Sequence, residues 1–590
     1  MRSRCVPSLS GARRRIRPHV LTSLLSLAIF ASPIHAATPV PAASTRGRAD
    51  VRLPLERPED PPGVPAPPSV THGAARPATV VTFGRFVHRQ VNVNAIGQNI
   101  LGDAANEPTI AVDPTDHDRM VIGWRQFDAV SSNFRQAGYA YTTNGGGTWT
   151  AGKIQPGVFR SDPVLGVDDA GRFLYLSLYV DSFGDISAQF FPSTDGGVTW
   201  GGQVQAYGGD KSWMTIDRTG DAGNRFVYQA WSTAGNDYLP LTFNRSTDDG
   251  ATFQYPSLID ALQPPIWGTL DLGDNDSLYI GGMDPNTGLV LMARSSNASN
   301  SLVTPTFTVT AADLGGYIMT GPPNPLGLDG QVWTAVDHSP SRRGWIYVLA
   351  SVQTPTDPLD VMFTRSTDGG KTFSPPVRVN DDVGKNWQWF GTMSVAPNGR
   401  IDVVWNDSRL TGDSTQTALY YSSSFNGGFT WTRNEQVSPV WNCTLGYPNQ
   451  QKIGDYYQMV SDDAGADLAW ANTFNNEEDI YYCRLTPNTT GVAPEAGRIT
   501  HLSPGAPNPF TGATAIRFDV PAGGERVKLE ILDPAGQRVA TLADGFFPGG
   551  GQIVRWNGAD RAGRPAPSGL YFCRYQTAGD SETQKLMLIR

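Results

Sequence analysis

Over most of this chain, apolar and polar residues alternate with a period of two, in short runs bounded by Gly, Asn, Asp and Pro. That is the signature of half-buried β-strands rather than of amphipathic helices. Seven runs share one form, an apolar strand closing on an acid or a small polar residue: PTIAVD at Pro108, PVLGVD at Pro163, SWMTID at Ser212, IWGTLD at Ile266, VWTAVD at Val332, FGTMSV at Phe390 and YYQMVS at Tyr456. Each is followed by a second strand rich in β-branched and aromatic residues, such as MVIGW (Met120), FLYLSLYV (Phe173) and IDVVW (Ile401). A third strand then leads into a glycine-rich turn and a fourth leaves it. The seventh unit stops after DIYYCRL (Asp479 to Leu485), while a strand-like segment, Thr79 to Asn94, is left over before the first. We expect that segment to supply the missing outer strand, closing a ring and removing its free edges.

The turns between third and fourth strands carry a repeated phrase. TTNGGGTW from Thr142, STDGGVTW from Ser193, STDDGATF from Ser246, STDGGKTF from Ser366 and SFNGGFTW from Ser424 are five copies, and SSNASNSL from Ser295 reads as a worn sixth. Their Asp or Asn residues (144, 195, 248, 297, 368 and 426) lie 51, 53, 49, 71 and 58 residues apart. A period of that size means one supersecondary unit per repeat. The phrase resembles the Asp box of the BNR repeat, found in sialidases and in several unrelated propellers. The resemblance implies a box at the rim of each blade, away from the central site. The expected fold class is all-β: a seven-bladed β-propeller over 79–490, with six blades, the sialidase number, as the alternative, followed by a small Ig-like β-sandwich over 498–590.

The two ends change the picture. Arg13, Arg14, Arg15 and Arg17 precede an apolar core from Val20 to Ala31 and a small-residue site at Ile34-His35-Ala36-Ala37. This is the layout of a signal peptide (1–36), and a Pro/Ala-rich spacer follows (37–78). The apolar core is too short to span a bilayer, so no transmembrane helix is expected in the mature chain. A net charge of −9 over 590 residues argues against nucleic acid as a partner. In an exported chain Cys443 and Cys483 could pair, leaving Cys573 alone. At the other end, Pro507-Asn508-Pro509-Phe510, the turn from Asp533 to Gly536, Trp556-Asn557-Gly558, Ser568-Gly569-Leu570-Tyr571 and the terminal Lys585 to Arg590 resemble the C-terminal sorting domain of type IX secreted proteins. They resemble nearly as well the Ig-like domain related to the flagellar hook-capping protein. This resemblance implies outer-membrane secretion machinery as a partner and a secreted or cell-surface location.

In a propeller, loops leading into the inner strands and loops joining second to third strands meet at one mouth. Those positions hold Glu107, Asp455, Tyr456 and Asp407 as candidate catalytic groups, and Arg125, Asp128, Arg409, Trp387 and Trp389 as candidate ligand-binding ones. Carboxylates beside aromatics suit a sugar site: pyranose faces stack on Trp, hydroxyls bond to Asp and Arg, and two carboxyls can hydrolyse a glycosidic bond. The same acids recur once per blade, which equally fits hydrogen bonding between blades. Sialidases, as the resemblance implies, use three arginines, a Tyr/Glu pair and an acid Asp, with the first arginine in a Phe/Tyr-Arg-Ile-Pro phrase. No such phrase occurs here; Gly84-Arg85-Phe86-Val87 lacks the proline. Three functions stay open: glycan binding without turnover, glycoside hydrolysis, and a protein-interaction scaffold. No cofactor or metal centre is indicated, although Asp168-Asp169, Asp248-Asp249, Asp274 to Asp276 and Asp381-Asp382 have the oxygen chemistry of structural calcium sites.

Overall fold

The computed structural model describes residues 66–487 apart from 71 and 222, and beyond them 502, 505, 507–520, 524–548, 550–577 and 581–590. The signal peptide and most of the spacer lie outside the described residues. No helix occurs among the described residues, and seven antiparallel sheets follow one another along the chain. Their inner strands are Ala104–Val112, Arg160–Val167, Trp213–Ile216, Leu270–Leu272, Trp333–Asp337, Gln388–Val395 and Gln458–Ser461. Ile110, Leu165, Met214, Leu270, Val336, Met393 and Val460, one from each, line an axial cavity of about 270 Å³. Seven blades therefore surround the axis.

The last blade is completed from the other end of the sequence. Phe86–Gln90 pairs with Asp479–Leu485, placing Arg89 opposite Tyr482 and Gln90 opposite Tyr481. Val80–Phe83 adds a further strand outside it. Val91 N donates to Ile480 O at 2.9 Å, and Ile480 N donates to the Asn92 side chain at 2.9 Å. The third blade is the irregular one, since its fourth strand is reduced to a bridge between Phe243 and Ser257.

The repeated turns are hydrogen-bonded staples. In the second blade Thr199 N and Oγ1 donate to Asp195 at 2.9 and 2.5 Å, and Gly197 N donates to Ser193 Oγ at 2.9 Å. The first, third, fifth and sixth boxes repeat this pattern through Asn144, Asp248, Asp368 and Asn426. The fourth copy is interrupted rather than worn. Asn297 accepts from Thr306 N, nine residues on instead of four, so Thr306-Phe307 is the true end of that box and residues 301–305 are an insertion within it. The acids with calcium-site chemistry are likewise engaged by protein groups. Asp168 accepts from Ala170 N and pairs with Arg172, Asp169 pairs with Arg225, Asp274 with Arg343, and Asp381 with Arg409.

At residues 514–588 six strands form two sheets, Thr514–Val520 with Gly550–Trp556, and Arg538–Phe547, Glu525–Leu532, Gly569–Gln576 and Ser581–Leu588. Phe510, Ile516, Phe518, Trp556, Tyr571 and Leu586 fill the space between them. Cys443, Cys483 and Cys573 are separate buried thiols. The pairing of Cys443 with Cys483 is therefore not made: each sits in packed interior, where burial pushes the Cys443 thiol up to about 12.

Candidate functional site

One backbone irregularity recurs in every blade. Glu107, Asp162, Lys211, Trp267, Gly330, Phe390 and Gly454, each within a few residues of the start of an inner strand, have positive φ. In the first, second and sixth blades this coincides with a break in register between the inner and second strands. Such a bulge re-aims the side chains beside it, here towards the axis. Gly454 is required where it stands: at φ 87° a Cβ would lie 2.8 Å from Glu107 Cγ.

The result is an ionic network closing the axis at this end. Glu107 pairs with Arg125 at 3.0 Å and with Lys452 at 3.3 Å. Lys452 also reaches Asp455 at 2.7 Å, and Lys211, from the third blade, reaches Asp455 across the axis at 2.6 Å. Leu328 N donates to the second Asp455 oxygen at 2.8 Å. Glu107, Arg125 and Asp455 are each 0% exposed. Isolated charges would be expensive here, and their mutual pairing is what makes burial tolerable. Two neighbouring carboxyls, Asp329 and Glu478, are pushed well above the usual range, chiefly by burial; Asp455 adds to the effect at Asp329, while Asn106 and Arg125 oppose it at Glu478.

A hairpin in the connection between the fourth and fifth blades covers the network. Thr320–Gly321 pairs with Asn324–Leu328, and Asn324 Nδ2 donates to Gly454 O at 2.7 Å while Ile453 N donates to Asn324 Oδ1 at 3.1 Å. Tyr456 lies beneath. Its hydroxyl donates to Pro163 O at 3.1 Å and its ring meets Trp213 edge-on at 5.1 Å. Burial first, and then the charge of Glu107, push its hydroxyl well above the ordinary tyrosine range.

The nine candidate residues do not form one site. Glu107, Arg125, Asp455 and Tyr456 come together at the axis. Asp407 and Arg409 form a separate knot in the sixth blade: Arg409 N and Nε donate to Asp407 at 2.8 and 2.9 Å, Arg409 also pairs with Asp381 at 2.6 Å, and its guanidinium lies 4.4 Å over the Tyr420 ring. Asp128 is tied to Lys153 and accepts from Gln136 at 2.7 Å. Trp389 is no stacking surface. It is wholly buried against Phe390 and Trp441, because the side chains of an inner strand alternate between axis and blade core. Trp387 is half-buried.

Lys452 and Asn324 are site residues that the sequence did not announce. Lys452 stands in a polar loop with no periodicity to mark it. The 71-residue spacing between the fourth and fifth boxes was the available sign of the covering hairpin. Among the described residues one group has metal-ligand chemistry, His117, Asp462 and Asp467, but Arg484 already donates to both acids at 2.7–2.8 Å.

The profile of the FlgD Ig-like domain matches residues 506–580, so this part of the chain is similar to that domain. A search of curated proteins finds no match. Among solved structures, a protein of unknown function from Dyadobacter fermentans is 13% identical, with a TM-score of 0.37 over 70% of this chain and 99% of that one. The sialidase of Trypanosoma rangeli, in complex with the inhibitor DANA, is 12% identical, with a TM-score of 0.37 over 86% and 90%. The intramolecular trans-sialidase from Ruminococcus gnavus, in complex with oseltamivir carboxylate, is 14% identical, with a TM-score of 0.32 over 65% and 94%.

Proposed function

We propose that this chain is an exported propeller that holds a glycan or surface polymer without cleaving it. The observation that carries this reading is the closed axis. The acids best placed for catalysis, Glu107 and Asp455, are buried and committed to Arg125, Lys452 and Lys211. A general acid needs a proton to give, and a general base needs access to water or substrate. Carboxylates clamped between buried cations beneath a hairpin lack that access, and their oxygens are already committed to partners. The basic and apolar residues before Ala37 support export, and the Ig-like domain supports a sorting or surface-attachment role through outer-membrane secretion machinery. The reading needs no cofactor.

One observation favours hydrolysis as a second reading: Tyr456 lies near enough to Glu107 to feel its charge, the pairing a tyrosine nucleophile uses. A glycan array run beside a reducing-sugar assay on the mature protein separates the two. Retention of a glycan without release supports binding. Release of free sugar, abolished by Tyr456→Phe in a fully folded variant, overturns it.

A further inference from the structure

The insertion in the fourth box creates a cleft that the axis does not share. Residues 301–305 bulge from the fourth blade beside the third, whose outer strand is reduced to a single bridge. Between them lies a cavity of about 210 Å³ lined by Asn244, Arg245, Gln254, Tyr255, Ser257 and Ser301 among others. It is smaller than the roughly 300–1,000 Å³ of sites that enclose a drug-sized ligand, so it suits one ring-sized group.

Its floor and its rim have complementary chemistry. Among the described residues, Arg245 is the one charged side chain lining the cleft. It is buried, and its bonds go to neutral oxygens: Nε to Gln254 Oε1 at 3.0 Å, Nη2 to Val303 O at 2.6 Å, and Nη1 to Ala298 O. A guanidinium held on carbonyls rather than on a carboxylate gives the cleft a positive field in a region of reduced dielectric. On the rim, Tyr255 is 66% exposed and meets Tyr207 and Tyr238 at centroid distances of 5.6 and 6.4 Å, with Tyr207 and Tyr238 5.6 Å apart. Tyr207 holds this place at φ 61°, a conformation a bulky residue adopts only when its surroundings impose it. The two half-buried rings meet Tyr255 edge-on and brace it, and one exposed tyrosine ring beside hydroxyl and amide groups suits a pyranose, whose C–H face stacks while its hydroxyls bond.

We propose that Tyr255, braced by Tyr207 and Tyr238, and the Arg245 cleft bind a carboxylated sugar ring, such as a uronate, within a polysaccharide chain. The sugar stacks on Tyr255 and directs its carboxylate to the cleft above Arg245; Gln254, Ser257 and Ser301 lie within the same cleft to meet its hydroxyls. This rests on the glycan-binding reading and gives it a ligand class and a place.

The test is calorimetric titration of the mature full chain with tetragalacturonate and with neutral cellotetraose. Tetragalacturonate binds, weakens as salt rises, and exceeds cellotetraose by about tenfold or more. Tyr255→Ala and Tyr238→Ala each weaken it by about tenfold, with unchanged melting for Tyr255→Ala because Tyr255 is exposed. Equal affinity for the two sugars overturns the acidic selectivity. Full affinity in both tyrosine variants overturns this site while leaving glycan binding intact. Failure of the parent chain to bind any oligosaccharide, here and on a glycan array, overturns both readings.

Discussion

Asp455→Asn separates a structural axis from a catalytic one. The carboxylate stands between Lys211 Nζ at 2.6 Å and Lys452 Nζ at 2.7 Å, with Leu328 N on its other oxygen at 2.8 Å. At an effective dielectric constant of about 20, each ammonium contact is worth roughly 6 kcal/mol of Coulomb attraction before desolvation is subtracted. Desolvation removes much of that from an intact pair. It is not recovered when one partner is neutralised, because the ammonium groups stay buried. We therefore expect Asp455→Asn to lower stability by about 3–5 kcal/mol. Urea unfolding followed by tryptophan fluorescence reads this as a fall in midpoint at constant slope. Adding Lys452→Met to Asp455→Asn removes a cation along with its anion, so the double variant should be more stable than the sum of the two single losses implies. A variant within about 0.5 kcal/mol of the parent that had nevertheless lost a hydrolytic activity would refute the reasoning, since it would make Asp455 a chemical group rather than a structural one.

Three further outcomes follow from the same geometry. Asp368→Ala should cost about 1–3 kcal/mol through loss of the bonds from Thr372 N, Thr372 Oγ1 and Ser366 Oγ, while any glycan affinity is kept; a stable variant that no longer binds would misplace the box. Burial opposes ionisation of Asp368, but those donors outweigh it and hold the carboxyl below its usual value; its contribution is therefore present above about pH 4 and disappears as pH falls through the lower folded-state value, which acid titration of parent against variant checks. His117 of the first blade meets Asp467 and Asp462 of the last, and the bond to Asp467 raises its pKa. Its stabilisation is full below about pH 6.5 and vanishes as pH rises through the raised value, so His117→Gln should differ from the parent in acid, by less than about 1 kcal/mol at so exposed a site, and match it in alkali. A chain beginning at residue 95 loses the strand paired with Asp479–Leu485 and should unfold without a cooperative transition; melting like the parent would contradict closure by that strand.

The elements and their number were already written in the order of the residues. Period-two alternation, seven inner-strand phrases, and a last unit short of a strand were enough to place seven blades and to name the segment that completes the seventh, because strand patterning and turn chemistry are local properties. The boxes were legible for the same reason: a staple of eight residues satisfies its own backbone, as Asp195 does with Thr199. The broken fourth box was not, since its Thr306-Phe307 end recognises Asn297 only after a loop has folded out. The roles of the mouth residues, by contrast, come from the closed ring. Glu107, Lys211 and Asp455 belong to three different blades and join one network only when the ring closes. Whether a charged side chain is a ligand-facing group or half of a buried ion pair depends on distances across the axis and on a hairpin from another connection. The 71-residue spacing between the fourth and fifth boxes marks that extra chain is present there, but not that it folds over the axis. Trp389 makes the same point at one residue: Trp441, 52 residues further along the chain, packs against its indole in the folded blade, and that contact made it core.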